Sequence, residues 1–499
     1  MALYFKGLFD RITGGEKSRI LAYDDTTSIQ VLKFRVFSEV GLYSEGSENM
    51  GKPFHGGIHF ELPRDFTPET PPALLPAPDL LFYPLIQHRG AAAEPLVSVG
   101  DQVCMGQKIA DCDAAVTACI HASVSGVVRA IEEHDHPDGG KCMTIVIEND
   151  HLDTPAESMK PSPKGLSEWT GEDIIAAARE SGISGMGGAG FPLAAKLSGA
   201  VDQIDTVILN GCECEPLLQS DHATMRFSPK DVAAGGVLIA RAVHAKNVVI
   251  AIESDKSDAA EALRGACADF EDVSVSVHIL PARYPQGGER VLITAITGKE
   301  IPPGKLPASI GVLLCNVGSA AALYAFCAEG RPLISRNVTV AGSAVERPAV
   351  LNVRLGTPFE TLLEHCGVQV PYGKLISGGP MMGKAQYTAK VPVIKTVSGI
   401  LVYSKKDSAI ASQGNCIHCG RCVRACPMQL APLYLNFYSD RNQLEDLERL
   451  HLDGCIECGV CTWSCPAGIP LVQKFRLGKM ELAKQRRAAK MRQEEGNTP

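Results

Sequence analysis

The 499-residue sequence contains no apolar run of the roughly 20 residues needed to cross a bilayer. The nearest approach, Ile310 to Ala328, is interrupted by Gly311, Asn316, Gly318 and Ser319. A secretory leader is not expected either, because Met1 to Thr13 carries Lys6, Asp10 and Arg11 and no apolar centre. Excess positive charge is also lacking. A formal net charge of −8 argues against nucleic acid as a partner. No Gly-Lys-Ser/Thr follows the one glycine-dense loop, Gly185 to Gly190, which disfavours a P-loop nucleoside triphosphatase. The same loop precedes the first clear strand and so is no dinucleotide fingerprint. A disulfide framework is missing as well. Cys104, Cys112, Cys119, Cys142, Cys212, Cys214, Cys267, Cys315, Cys327 and Cys366 show no paired spacing, and with no export leader they read as reduced cytosolic thiols. An apolar content of 45% describes an ordinary globular chain, and the length suits two to four domains.

Eight of the 18 cysteines fall in two runs of identical spacing. They are Cys416-x2-Cys419-x2-Cys422-x3-Cys426-Pro427 and Cys455-x2-Cys458-x2-Cys461-x3-Cys465-Pro466. Zinc sites usually draw on two CxxC pairs, not on three cysteines in one short loop with a fourth before proline. The spacing resembles that of a bacterial two-cluster ferredoxin, in which the last cysteine of each run ligates the other cluster. The resemblance implies one 4Fe–4S cluster on Cys416, Cys419, Cys422 and Cys465, and another on Cys455, Cys458, Cys461 and Cys426. Ile417, Ile456, Val423 and Val460 are expected to shield the clusters from water. About 28 residues separate the runs and read as helix (Leu430 to Tyr438, Gln443 to Leu452), which makes the helical ferredoxin variety.

The fold class is multidomain, α/β plus β. Residues 1–75 form a Gly/Pro-rich N-terminal hairpin segment containing Gly56-Gly57-Ile58-His59. Residues 76–153 read as short strands with glycine turns (Leu96 to Val103, Gly106 to Ala110, His121 to Val128). This section resembles the biotinyl/lipoyl barrel-sandwich domain, but its tip, Asp113-Ala114-Ala115-Val116, lacks the carrier lysine, so a structural role is expected. Residues 154–166 are a linker. In residues 167–335, helices alternate with buried strands at Thr206–Asn210, Asn247–Ile252 and Ser274–Leu280, which predicts a parallel sheet with ligands beyond its carboxyl ends. Residues 336–405 look like a β-grasp (SLBB-like) domain, and 406–472 are the α-helical ferredoxin domain. The tail, 473–499, holds eight Lys/Arg from Lys474 to Arg492 against Glu481 alone. It reads as a solvated helix, or as a contact for anionic lipid or an acidic partner.

Four motifs mark the α/β section. They are Gly185-Met186-Gly187-Gly188-Ala189-Gly190-Phe191-Pro192, Asn210-Gly211-Cys212-Glu213-Cys214-Glu215-Pro216, Pro285-Gln286-Gly287-Gly288-Glu289 and Cys315-Asn316-Val317-Gly318-Ser319. Closely spaced glycines let backbone N–H groups approach a phosphate or a flat ring. Over residues 165 to 330 these motifs resemble the flavin-binding subunit of complex I, which carries FMN and takes hydride from NADH. The resemblance implies that Gly185, Gly187, Gly188, Gly190 and Lys196 cradle FMN. Phe191 would lie against the nicotinamide or adenine ring, with Glu215 near the nucleotide. Asn210 and Glu213 would bond the flavin ring and ribityl chain, and Gly288, Glu289, Asn316 and Ser319 would complete the contacts. No side chain is expected to act as a catalytic acid or base. NADH gives electrons in pairs and a cluster accepts them singly, so a flavin between them explains why these parts share one chain. Cys212 and Cys214 depart from the family pattern and read as packed thiols.

From about Phe54 to Pro470 the chain resembles the RnfC family, a component of the Rnf ion-translocating electron-transport complex. Phe60 stands where that family suggests proline, a change expected to touch only local backbone. The resemblance implies a peripheral subunit on the cytoplasmic side of an inner membrane. It would pass electrons between NAD(H), FMN and two 4Fe–4S clusters, beside integral-membrane subunits and a neighbour that meets ferredoxin. A soluble flavin/iron–sulfur cobalamin reductase of bacterial microcompartments shares much of this layout. An electron-wiring subunit with no NADH site of its own is a further alternative. A dehydrogenase subunit of a hydrogenase or formate enzyme ranks behind, as it lacks the barrel-sandwich section.

Overall fold

The computed structural model describes residues 54–60, 69–267, 270, 272–409 and 412–496. Met1 to Thr13, where no leader is expected, and most of the N-terminal segment lie outside the described residues.

The α/β domain is built on a four-stranded sheet in the order Ser274–Leu280, Asn247–Glu253, Thr206–Gly211, Val312–Asn316. Every pairing is parallel. Alternate strand residues point to opposite faces, and both faces are buried. Val207, Leu209, Val248, Ile250 and Leu313 join the large core on one side. Ile208, Val249, Ala251, Val312 and Leu314 pack on the other against Leu292, Ile293 and Ala295 of the helix Glu289–Thr297. The chain runs from the Thr206 strand outward to the Asn247 and Ser274 strands, then returns to place the Val312 strand on the opposite side. The order of strands therefore reverses between the Thr206 and Val312 strands, and a crevice opens at that point beyond their carboxyl ends.

The barrel-sandwich section forms two small sheets, Leu80–Pro84, Lys141–Asn149, Gly126–Asp135, Gln102–Val103 and Glu94–Pro95, Lys108–Asp111, Ile120–His121. They enclose Leu81, Tyr83, Ile109, Val128, Ile145 and Ile147. The continuous strand expected over Leu96 to Val103 is broken by the turn at Gly100, and that over His121 to Val128 by a bend. The tip is not free. The Val116 carbonyl accepts Ala91 N–H at 3.0 Å, and Gly90, at φ +120°, lies so close that a Cβ would sit 2.0 Å from it.

The β-grasp-like sheet has six strands and a central parallel pair, Ser335–Ala341 with Gly399–Tyr403. Its outer strand, Ala73–Leu74, comes from the N-terminal segment and pairs with Leu351 and Asn352. The helices Arg421–Ala425, Pro432–Ser439, Leu444–Arg449, Val460–Trp463 and Leu471–Gly496 make the ferredoxin section, around Leu435, Leu447, Leu452 and Phe475.

Close helix packing sets the width of the α/β domain. Gly235, in the helix Pro229–Ala242, faces the helix Val317–Glu329 so closely that a Cβ would stand 1.9 Å from the Ala320 carbonyl oxygen. Gly235→Ala should therefore cost about 1–3 kcal/mol or more through overpacking. Thermal unfolding checks this, and an unchanged midpoint would count against the packing described.

Candidate electron-transfer site

The glycine loop sits at the crevice where the strand order reverses. Asn210 and Asn316 are register partners at the carboxyl ends of the neighbouring Thr206 and Val312 strands. The Asn316 Oδ1 accepts Gly318 N–H at 2.9 Å and caps the following helix, while its Nδ2 donates to Asp221 at 2.7 Å. Met186 N–H donates to Ser319 Oγ at 3.0 Å and ties the loop to that helix. Gly187 stacks on Asn316, where a Cβ would lie 3.3 Å from Nδ2. Gly185 N–H donates to the Phe191 carbonyl at 2.9 Å, and Gly190 N–H to the Gly185 carbonyl at 3.2 Å, closing the loop. Gly188, at φ +91°, faces open space, with nothing within 4 Å of a Cβ built there. Phe191 is 37% exposed beside it. Lys196 lies in the helix Leu193–Ser198 and donates to the Leu314 carbonyl. Burial pushes the Cys315 thiol up, with Lys196 opposing and Glu289 adding to the shift, so these two predicted residues flank the strand end together. Gly288 caps the helix that begins at Glu289.

Two predicted acids have occupations the sequence does not disclose. Glu213 accepts the backbone N–H groups of Ser220, Asp221 and His222 and the Ser220 hydroxyl, at 2.8–3.1 Å. A carboxylate at a helix N-terminus satisfies donors that have no partner within the helix. Glu215 accepts Met381 N–H at 3.0 Å and Met382 N–H at 2.8 Å, with the Tyr284 hydroxyl at 3.5 Å. Burial pushes its carboxyl up to about 7 against these bonds. Asn210 Nδ2 donates to the Gly287 carbonyl at 2.9 Å and joins the second motif to the third. Cys212 is buried and Cys214 partly buried, and burial, then Glu253, pushes both thiols well up. The Gly287 N–H lies 3.4 Å from the Cys214 sulfur.

Several residues here escaped the sequence reading. Asp221 is pushed up to about 7 by burial and by Glu213, with Asn316 and Arg336 opposing. Arg336 is buried on the first long strand of the next domain and donates to the Met186 carbonyl at 3.2 Å. Arg89, from the barrel-sandwich section, donates its backbone N–H to the Gly190 carbonyl at 2.8 Å, so that section braces the glycine loop. Gln286 is wholly buried with both amide atoms unpartnered. Asp221 and Gln286 lie in or next to the quoted motifs and could have been marked. Nothing local signals Arg336. The open face at Gly188 and the unpartnered Gln286 amide fit a polar, ring-bearing group such as FMN.

The cysteines gather in crossed fashion. Cys426 lines a hollow of about 340 Å³ with Cys455, Cys458 and Cys461. Cys465 lines another, about 410 Å³, with Cys416, Cys419 and Cys422. Among the described residues no three Cys, His, Asp or Glu side chains converge on a single-ion site. Four thiols line each hollow, an arrangement that fits a 4Fe–4S cluster. The hollows differ in exposure. Cys426, Cys458 and Cys461 are buried, whereas Cys416 and Cys419 are exposed. Of the residues expected to shield the clusters, Ile456 lines the first hollow and Ile417 the second, although Ile417 is 67% exposed; Val460 is buried but lines neither, and nor does Val423.

One junction binds the parts. The Tyr284 hydroxyl donates to the Cys458 carbonyl at 2.7 Å. Gly288, four residues on, lies where a Cβ would touch Ile456 at 3.4 Å. Ile58 exchanges backbone bonds with Tyr284 at 2.7 and 2.8 Å, and Gly57 N–H donates to the Ala425 carbonyl at 2.9 Å. The Gly56–His59 segment is therefore a strap between the α/β and ferredoxin sections, through an isolated bridge of Ile58 to Tyr284; most of the expected hairpin segment lies outside the described residues. Phe60 does more than adjust the backbone. Its ring packs edge-on against Tyr284 at 5.9 Å and Trp463 at 5.7 Å. The basic helix is exposed over residues 483–492, as a solvated element would be, and is tied to the ferredoxin section by ion pairs. Lys474 pairs with Asp440, Arg476 and Lys479 with Glu457, and Arg486 with Glu448 and Asp453.

Four family models match in the order of these sections. They are the RnfC barrel sandwich hybrid domain (52–152), the Nuo51 FMN-binding domain (178–325), the SLBB domain (337–385) and the 4Fe-4S dicluster domain (415–469). The chain is 42% identical over 436 residues to the C subunit of the Na+-translocating ferredoxin:NAD+ oxidoreductase complex of Acetobacterium woodii, covering 87% of this chain and 98% of that one. The chain belongs to this RnfC family. It is also 41% identical to the C subunit of the proton-translocating ferredoxin:NAD+ oxidoreductase complex of Clostridium ljungdahlii (80% of this chain, 86% of that one). The C subunit of the ion-translocating oxidoreductase complex of Rhodobacter capsulatus is 41% identical (86% and 83%). Among solved structures, an NAD+-reducing NiFe hydrogenase in the H2-reduced state overlaps 65% of this chain and 67% of that one, with TM-score 0.47 and 18% identity. The fold expectations thus hold for this RnfC-type chain: barrel sandwich, flavin-type α/β, SLBB and helical dicluster sections.

The Glu215 environment generates a pH prediction. Its folded carboxyl holds a proton up to about 7, against an ordinary 4.5. The folded state binds the extra proton between these values, so its contribution to stability falls as pH rises through that window and is level above it. Glu215→Gln has no such proton to lose. Between pH 5 and 8 the wild type should lose about 2–3 kcal/mol relative to this variant in denaturant unfolding. A difference that does not change with pH would contradict the assignment.

Proposed function

We propose that this chain is the electron-input subunit of an Rnf-type, ion-translocating NADH:ferredoxin oxidoreductase, passing electrons between NAD(H), FMN and two 4Fe–4S clusters. The observation that carries this reading is the junction at Tyr284. One loop, residues 284–288, bonds the Cys458 carbonyl through Tyr284 at its start, and at its end Gly287 receives the Asn210 amide and Gly288 lies against Ile456. FMN, when bound, supplies the chemistry that accepts a hydride and releases single electrons. The chain's own residues bind and orient. Gly185, Gly187, Gly188 and Gly190 let the flavin approach the backbone, and Lys196 offers an ammonium to its phosphate. Asn210, Gly288, Glu289, Asn316 and Ser319 frame the crevice. Glu213 acts by capping the helix that carries Asp221, and the exposed Phe191 offers a face for a base or nicotinamide ring.

The cysteine assignment is Cys426, Cys455, Cys458 and Cys461 for the cluster facing the flavin loop, and Cys416, Cys419, Cys422 and Cys465 for the outward one. Electrons then leave toward a partner at the exposed Cys416–Cys419 loop. The chain is peripheral, on the cytoplasmic side of an inner membrane, beside integral-membrane subunits and a neighbour that meets ferredoxin. No helix of the described residues is long and apolar enough to cross a membrane.

Two variants test the parts. Lys196→Ala should weaken FMN retention about tenfold or more, the 1.5–3 kcal/mol of a charge-assisted bond. The flavin-to-protein ratio after gel filtration reads this, and an undiminished ratio removes Lys196 from the cradle. Cys426→Ala should abolish the signal of the cluster otherwise held by Cys455, Cys458 and Cys461 and spare the other in low-temperature EPR. Loss of the Cys416 cluster instead would show that the ligands are not crossed.

A further inference from the structure

The basic helix Leu471–Gly496 turns two cations onto one cysteine loop. Lys479 Nζ donates to the Cys455 carbonyl at 2.6 Å and to the Glu457 carboxylate at 2.8 Å. Arg476, three residues earlier and so on the same helix face, donates to the other Glu457 oxygen at 2.9 Å. The Lys479 and Arg476 side chains are mostly covered, with 24% and 38% of their surface exposed. Two cations against one carboxylate leave a net positive charge against this loop. Glu457, at φ +57°, also places its N–H 3.4 Å from the Cys455 sulfur.

The first run has no equivalent among the described residues. His418 occupies the position of Glu457 and is exposed, and its loop receives only a 3.4 Å contact from the exposed Arg424 to the Cys419 carbonyl. The two runs share a spacing but differ in charge environment. Reduction adds a negative charge to a cluster, and a cation a few ångströms away in a poorly solvated site stabilises that charge.

We propose that Lys479 is a positioning residue that raises the reduction potential of the cluster held by Cys426, Cys455, Cys458 and Cys461 above the value its thiolates alone would give. The inference rests on the cluster assignment above and assigns part of the basic helix a redox role. An electron arriving from the flavin side then meets a cluster made easier to reduce, while the outward cluster lacks this support.

The test is an EPR-monitored redox titration of the full-length chain with both clusters in place. Lys479→Met should move one midpoint to more negative potential and leave the other unmoved, and Lys479→Arg should restore it. Glu457→Gln removes the counter-charge and should move the same midpoint the opposite way. Unmoved midpoints in Lys479→Met at full iron content would overturn the proposal. So would a shift confined to the signal that Cys416→Ala abolishes. Should Lys479→Met lose iron, Glu457→Gln decides, and an unmoved or more negative midpoint overturns it. A wild-type chain without two cluster signals would instead defeat the ligand assignment.

Discussion

The bond from the Tyr284 hydroxyl to the Cys458 carbonyl is the constraint on which the arrangement depends. Electron transfer between a flavin and a cluster requires that two sections with separate cores be held at a fixed, short separation. Tyr284 meets this requirement because it is only 2% exposed and held on several sides. Its backbone pairs with Ile58, its ring meets Phe60, and the Glu215 carboxylate lies near its hydroxyl. Glu215 in turn grips the backbone of Met381 and Met382 in the SLBB section. Four segments distant in sequence thus converge on one side chain.

The crevice itself is organised by buried charge. Arg336 enters from the SLBB section to hold the Met186 carbonyl, and Asp221 bonds Asn316 from the helix that Glu213 caps. Burial brings the guanidinium down to about 10 and pushes Asp221 up to about 7, which is the physical sign of charges kept where water is scarce. Such groups are costly unless bonded, and here each secures a backbone turn at the carboxyl end of the sheet. The barrel-sandwich section, which has no carrier lysine, has a place in the same scheme through Arg89 and the glycine loop.

Much of this was legible in the residues. The spacing of the two runs is local information, and each run lines a hollow together with the fourth cysteine of the other run. Buried strands such as Asn247–Glu253 announce themselves by unbroken apolar runs. The crevice followed from alternating helices and strands, because ligands gather where strand order reverses. What stayed hidden depends on partners far along the chain. Glu213 and Glu215 stand two residues apart, yet one caps a helix and the other clasps a loop more than 160 residues away. Phe60 looked like a local substitution because its partners, Tyr284 and Trp463, adjoin it only after folding. The ion pairs of the basic helix stayed hidden because its acidic counterparts lie between the cysteine runs and in the second run itself. The broken strands of the barrel sandwich reflect a turn at Gly100 and a bend at Ser123–Val124 that the alternation of residues does not announce.

Conversion of hydride pairs to single electrons across the Tyr284 junction, within one chain, can be watched by anaerobic EPR. The isolated full-length chain, with its flavin and iron content measured, is recorded before and after NADH is added. Bound FMN is expected, with two 4Fe–4S signals that appear on NADH addition and are both lost when the flavin is stripped. A chain that holds both clusters, reducible by dithionite, yet binds no FMN or leaves the clusters oxidised under NADH would contradict this conversion.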